Sequence, residues 1–405
     1  MATQLLNKAL DAGFALVMLR MLGPAGAGSY AFAGVVVLYL ETAAGFGLDT
    51  LITRDVARDL TQGPRYLWHA VVLRTLIWAT LAPLLWLGLL AWDGLAALGA
   101  DTLAACGLLI LAALPALWAG AVSRLFYAHE RMEVPALVTV QTTVTKVALG
   151  MAALIAGSGI VGLAGVAVLN NLLTLAVLGF LARRVAFPLP IAFQPSLARR
   201  MLVEAFPLFC NNLLAAAFFR VDVLLLQAWQ GAAVVGWYTA AYKVVDAALL
   251  LPSSLTLALF PAMARQAASA RDALERTYHL AVRYLLALAF PLAVGTTALA
   301  EPIAALVGGR AFLPHSALAL QWLIWFLPLS YVNGVTQYVL IALGRQRSVT
   351  VAFLIVVLFN VAANAVAIPL LSYRGAALVT VLSEVVLLLP LAHALRAAVA
   401  RLPLW

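Results

Sequence analysis

The stretch FFRVDVLLLQAWQGAAVVGWYTAAYKVVDAALLL, residues 218–251, decides the fold. It joins two apolar runs, about 205–229 and 234–260, through a short turn at Gln230 and Gly231. About twenty apolar residues at 1.5 Å per residue cross the hydrocarbon of a bilayer, so each run reads as a membrane helix. Arg220, Asp222, Lys243 and Asp246 nevertheless sit inside them. A charge near the middle of a membrane helix costs about 2.5–3.5 kcal/mol on insertion scales, so such residues pair with one another or face water. Arg220 and Lys243 each lie about nine residues, or roughly 14 Å, from the turn. Lys243 and Asp246 share a helix face by their spacing, whereas Arg220 and Asp222 do not. Asp222 with Lys243, and Arg220 with Asp246, are the pairs that fit across the hairpin. They either lock two helices together or line a water-filled cavity, and the spacing leaves both readings open.

The rest of the chain repeats this character. Of 405 residues 65% are hydrophobic and only 10% charged, with a mean hydropathy of +1.03. A soluble domain carries about a quarter of its residues as Asp, Glu, Lys and Arg. The fold class expected is therefore an all-α integral membrane protein with about 12 transmembrane helices. The spans fall near 4–22, 29–48, 66–91, 101–122, 136–157, 160–182, 205–229, 234–260, 280–300, 315–343, 349–371 and 375–398. The N-terminal run, interrupted by Asp11 and Arg20, reads as an uncleaved first helix rather than a secretory signal.

The net charge of +9 does not point to nucleic acid, because the loops account for it. With the N-terminus inside, sixteen arginines fall in inner loops or the C-terminal tail, from Arg54, Arg58 and Arg65 to Arg396 and Arg401. The outer loops hold only Arg310 and Arg374, so both termini are expected on the cytoplasmic side. The longest loop, 183–204, is basic and proline-rich and divides the chain into lobes at 1–182 and 205–405.

The halves echo each other. GPAGAGSYAFA from Gly23 and GAAVVGWYTAA from Gly231 align Gly23 with Gly231, Gly28 with Gly236 and Tyr30 with Tyr238. GLAGVAVLNNL from Gly162 and GAALVTVLSEV from Gly375 give a similar offset at the other end of each half. Six helices per repeat is an even number, so both halves insert alike. The lobes are expected to be related by a pseudo-twofold axis along the membrane normal, with a substrate site between them.

Further polar residues fall in the spans: Glu41, Arg74, Lys146 and Glu384, with Asn170, Asn171, Asn211 and Asn212. The substrate-binding set expected is Arg220, Lys243, Arg74, Lys146, Asn211 and Asn212. The ion-coupling set is Asp222, Asp246, Glu384 and Glu41. Snorkelling competes with a binding role for Arg74 and Lys146, and interhelical hydrogen bonding does so for the asparagines. Arginine offers a planar fork to phosphate, and a carboxylate can exchange protons or sodium ions. The sequence has no Walker A loop, no Rossmann glycine pattern, no nucleophile elbow and no paired metal-ligand spacing among its five histidines. Cys106 and Cys210 lie in apolar runs and indicate no disulfide framework. No catalytic residue, metal or cofactor is expected beyond H+ or Na+ coupling.

RMLGPAGAGSYAFA (20–33), GFGLDTLITRDVAR (45–58) and the block 220–265 resemble bacterial polysaccharide-repeat flippases. FYAHERMEVPAL (126–137), YVLIALGRQRS (338–348) and SYRGAALVTVLSEVV (372–386) are similar too. These flippases belong to the multidrug/oligosaccharidyl-lipid/polysaccharide exporter superfamily, whose members often have twelve to fourteen helices. The resemblance implies a transporter rather than an enzyme. It would flip an undecaprenyl-pyrophosphate-linked glycan from the inner to the outer leaflet by alternating access, driven by an ion gradient. It places Arg220, Asp222 and Lys243 in the matching block. It further implies a bacterial inner-membrane location, a monomer, and glycan polymerase machinery as a partner. Alternatives on the same fold are a drug or organic-cation exporter and a lipid II flippase. A glycan polymerase or ligase fits less well, since the largest outer loop expected, 301–314, is only about 14 residues.

Overall fold

The computed structural model describes residues 2–96, 98–184, 193–269 and 271–398, and every regular element among them is helical. Residues 185–192 of the basic segment 183–204, and Arg401, lie outside the described residues. The chain forms two compact units, Met1–Leu22 with Ser29–Ala216, and Gly23–Gly28 with Ala217–Trp405. Unit 1 takes up most of α1 (Ala2–Gly45), then α2 (Leu48–Arg58), α3 (Gly63–Ala96), α4 (Ala100–Ala128), α5 (Glu133–Ile155) and α6 (Gly159–Arg184). The division falls inside α7 (Pro195–Gln230). Unit 2 continues with α8 (Ala232–Ala248), α9 (Leu250–Ser269), α10 (Arg271–Ala298), α11 (Ala300–Gly308), α12 (His315–Leu323), α13 (Phe326–Ala342) and α14 (Gln346–Ala398).

Eight helical stretches are long and apolar enough to cross a membrane, or nine when the bent pair α12–α13 counts as one span. The twelve expected spans emerge once the breaks are read. The first stretch, Asn7–Arg58, and α14 are 52 and 53 residues long. A continuous helix of that length would reach about 80 Å, more than twice the hydrocarbon thickness. Each is interrupted by a residue in the left-handed region, Gly23 (φ 65°) and Ser372 (φ 55°). With the further break at Gly47 (φ 68°) that sets α2 apart, the pieces on either side are each about one span long. Span 8 is carried by α8 and α9, which meet at Leu249, and span 10 by α12 and α13, bent by 40°. The outward surface suits lipid: Leu84, Leu137, Leu370 and Leu389 are each more than 60% exposed. So much exposed leucine would be a liability in water.

Three segments differ from the sequence expectation, the first being the second half of the loop expected at 183–204, where α7 already begins at Pro195. The outer loop expected at 301–314 opens with α11, whose Ala300, Ala304 and Val307 are buried, an apolar stripe at helical spacing. The charged stretch after span 2 is a helix too, α2. Its Leu48, Leu51, Ile52 and Val56 are buried against Tyr66, Leu67 and Leu73 of α3, Leu125 and Phe126 of α4, and Met201 of α7. Asp49, Arg54, Asp55 and Arg58 lie off that stripe, so α2 is amphipathic.

The repeated glycine motif meets itself inside unit 2. A Cβ on Gly28 would lie 1.8 Å from the Ala232 carbonyl oxygen, and one on Gly236 would lie 1.9 Å from that of Pro24. Pro24 and Ala232 are themselves equivalent in the two copies, so the contact is reciprocal, as in an isologous interface. Glycine is required at both positions because backbone approaches backbone there.

Candidate functional site

Unit 1 holds a cavity of about 330 Å³ lined by Glu41, Thr42, Asp49, Arg74, Leu117 and Asn212, among others. Arg74 lies eleven residues into α3, about 16 Å along its axis, and is only 1% exposed. A guanidinium at that depth is tolerable only with partners. Its Nη2 donates to Asp49 Oδ1 at 2.7 Å and its Nη1 to the Leu117 carbonyl at 2.6 Å. The buried Nε has no partner among the described residues. Arg124 of α4 approaches the same Asp49 oxygen at 3.4 Å, so two guanidinium groups share one carboxylate. Glu41 of α1 lines the cavity, and among the described residues it has no hydrogen bond or ion pair.

Unit 1 also contains the second expected cation. Lys146 of α5 is paired with Asp11 of α1, both about two-fifths exposed, so it is half-solvated rather than buried. Asn171 donates to the Ala112 carbonyl at 2.9 Å, which makes it a link between α6 and α4. Asn211 is exposed on α7, whereas its neighbour Asn212 lines the cavity.

In unit 2 the expected pair of Arg220 with Asp246 forms at 3.2 Å, with Arg220 also 5.0 Å from the centre of the Tyr242 ring. The two side chains are 29% and 36% exposed, so this pair is half-open. Asp222 is 4% exposed and accepts from the Tyr238 hydroxyl and from the Val223 amide at 2.8 Å. Tyr238 in turn lies 3.2 Å from the Thr380 hydroxyl, tying α8 to α14. Lys243 is exposed on α8. Glu384, 1% exposed on α14, accepts from Asn333 Nδ2 of α13 at 2.5 Å. Asn360 donates to Ser383 at 2.9 Å beside it, and Asn364 to Asn360 at 3.0 Å.

The expected site residues therefore fall into separate groups. Glu41, Arg74 and Asn212 come together in the cavity of unit 1, and Arg220 with Asp246 in unit 2. Lys146, Asp222 and Glu384 each sit in a local contact of their own unit. Sequence reasoning missed Asp49, Arg124, Asp11, Tyr238 and Asn333 as partners. Asp49 and Arg74 are 25 residues apart on different helices, and no periodicity links them. No group of three or more potential metal ligands occurs among the described residues. Glu384→Leu is expected to destabilise unit 2 less than Asn333→Leu, because the former removes the buried carboxyl and the latter leaves it without its amide donor. Thermal melts of the two variants in detergent check that order.

A family model described as polysaccharide biosynthesis protein matches residues 1–267. A second, described as MatE, matches residues 207–366. No curated protein matches in sequence. Among solved structures, an inward-facing multidrug resistance MATE family transporter of the MOP superfamily superposes with a TM-score of 0.81 at 15% identity. That match covers 97% of this chain and 95% of the other. The lipid II flippase MurJ in an inward closed conformation gives 0.80 at 15% identity, over 98% of this chain and 87% of that one. A MOP superfamily transporter from Pyrococcus furiosus gives 0.67 at 18% identity, over 99% and 93%. At these identities the likeness establishes a shared fold: an all-helical, multi-pass membrane protein of the MATE and MurJ type.

Proposed function

We propose that this chain, which belongs to the polysaccharide biosynthesis protein family, is a flippase for a lipid-linked oligosaccharide. The cargo proposed is a glycan repeat on undecaprenyl pyrophosphate, moved from the cytoplasmic to the outer leaflet of the inner membrane. Alternating access of the two lobes, 1–182 and 205–405, would carry it across, and an ion gradient would drive the cycle. The observation that carries this reading is the cavity of unit 1, where the deeply buried Arg74 keeps an unspent Nε donor. A membrane protein retains such a group against its insertion cost where an anion needs it, and a guanidinium fork matches phosphate oxygens.

Glu41 is the first candidate for ion coupling, since a carboxylate in a membrane cavity calls for a proton or a cation. Arg220 and Asp246 form the second polar site. A half-open pair of this kind contributes little to stability, roughly 0–1 kcal/mol, so its retention in an apolar stretch favours a role in transport. Arg220→Ala is expected to impair glycan export while the protein remains folded and inserted. Export at the wild-type level would reduce the pair to a structural contact. The swap Arg220→Asp with Asp246→Arg sharpens the test, because restored export would mean that pairing alone matters.

A drug or organic-cation exporter is the second reading, favoured by the two carboxylates Asp49 and Glu41 in the same cavity and by the fold shared with a multidrug transporter. Dye and antibiotic sensitivity of cells lacking the protein separates the two.

A further inference from the structure

Two long helices, α3 and α7, begin side by side in unit 1 around a pocket of about 490 Å³. Gln62, Arg65 and Tyr66 line it from the start of α3, and Gln194, Ser196 and Arg200 from the start of α7. Arg65 donates from Nη1 to the Gln62 side-chain oxygen at 3.3 Å and from Nη2 to that of Gln194. Both partners are neutral amides, and among the described residues no carboxylate lies within ion-pair distance of Arg65. Its charge is thus held in place and left uncancelled. Arg200 gives Nε to Glu204 at 2.8 Å, but Glu204 also takes Arg54 at 2.6 Å, so one carboxylate again serves two guanidinium groups. Tyr66 donates to Asp55 at 3.3 Å, and Asp55 is paired with Arg54 at 2.6 Å.

The pocket is built rather than incidental. His69, fully buried, accepts the Gln194 amide on Nε2 at 2.9 Å. Nδ1 then carries the proton and donates to the Arg65 carbonyl at 2.7 Å. Phe193 stacks on the imidazole at 5.2 Å between centroids. These contacts fix the start of α7 against the first turns of α3. Both helices present their N-terminal ends to the pocket, and their dipoles add positive potential to that of the two arginines. The helices are 34 and 36 residues long, about 50 Å, which exceeds the hydrocarbon thickness by some 20 Å. With the hydrocarbon spans expected at 66–91 and 205–229, the helix starts at Gly63 and Pro195 fall outside the apolar layer, toward the lipid phosphates.

We propose that this pocket binds the phosphate of an anionic lipid headgroup, with Arg65 and Arg200 as its ligands. The site is separate from the Arg74 cavity, and it stands whether or not the chain flips a glycan.

The test is lipid retention by the purified full chain in neutral detergent, read by native mass spectrometry with added phosphatidylglycerol or phosphatidylcholine. Wild type is expected to keep phosphatidylglycerol in preference to phosphatidylcholine. Arg200→Gln should weaken that retention about fivefold, and Arg65→Gln with Arg200→Gln by about twenty-fold or more, at the roughly 1 kcal/mol that each such arginine contributes. Arg345→Gln, an exposed arginine elsewhere, should leave it unchanged. Arg200 is 63% exposed, so its single variant reads the site even if the double variant fails to fold. Equal retention by wild type and Arg200→Gln overturns the proposal. Displacement of the lipid by millimolar inorganic phosphate would overturn the lipid assignment in favour of a soluble phosphate compound.

Discussion

Asp49→Leu is expected to cost the protein about 3–5 kcal/mol and all of its export, more than Arg74→Met costs at the other end of the same pair. The order follows from where each partner sits. Arg74 is 1% exposed, whereas the Asp49 side chain is 41% exposed. Removing the carboxylate leaves a guanidinium buried with only the Leu117 carbonyl to receive it, the situation in which breaking a buried pair is most costly. Removing the guanidinium leaves a half-solvated carboxylate that keeps Arg124 at 3.4 Å, and methionine refills most of the volume. A cost nearer 2–3 kcal/mol, close to one charge-assisted hydrogen bond, is expected there. Arg74→Met should therefore fold and insert, yet fail to export. Melting temperatures in detergent, with export measured in cells, check both the order and the separation. Equal destabilisation would mean that water reaches Arg74 in the membrane and that the pair is not desolvated.

The second large effect is expected at the reciprocal glycines. Alanine at Gly236 or Gly28 would place a methyl group under 2 Å from a backbone oxygen, where real Cβ contacts are essentially never shorter than 3.0 Å. The backbones would have to separate by more than 1 Å, and no side chain can yield in their stead. Either single variant is expected to give little folded protein by fluorescence-detected chromatography in detergent. Gly34→Ala is the control, since a Cβ there meets nothing within 4 Å and lies in the same helix. Alanine at that position should be neutral or slightly stabilising. Well-folded Gly236→Ala protein would contradict the close approach of Gly23–Gly28 to α8.

These two sites also show what the sequence carries and what it lacks. The echo of Gly28 and Gly236 at one offset is visible in the chain, and so is the hydrophobic length of each span. The self-contact is not, because repetition says that two motifs are alike and nothing about whether they touch. Charges inside apolar runs flagged Arg74, Arg220, Asp246 and Glu41, because burial of charge is a local cost readable from neighbours. Their partners were harder. Arg220 and Asp246 sit on consecutive spans joined by a tight turn, and depth alone matched them. Asp49 escaped because it begins α2, a segment whose charges hid an apolar stripe at Leu48, Leu51, Ile52 and Val56. A search at helical spacing, rather than for continuous apolar runs, would have found that helix. Asp11 was treated as an interruption of the first span, and its pairing with Lys146 needs the packing of α1 on α5.

The central claim is that the chain moves a lipid-linked glycan between leaflets, and reconstitution tests it most directly. The purified protein would be placed in vesicles containing an undecaprenyl-pyrophosphate-linked oligosaccharide, and a membrane-impermeant glycosidase would report the exposed fraction. Wild type is expected to bring the protected half of the glycan to the enzyme, at a rate that depends on an imposed ion gradient. Arg74→Met vesicles should remain near half-protected. Equal protection with and without the wild-type protein, under both proton and sodium gradients, would contradict the account.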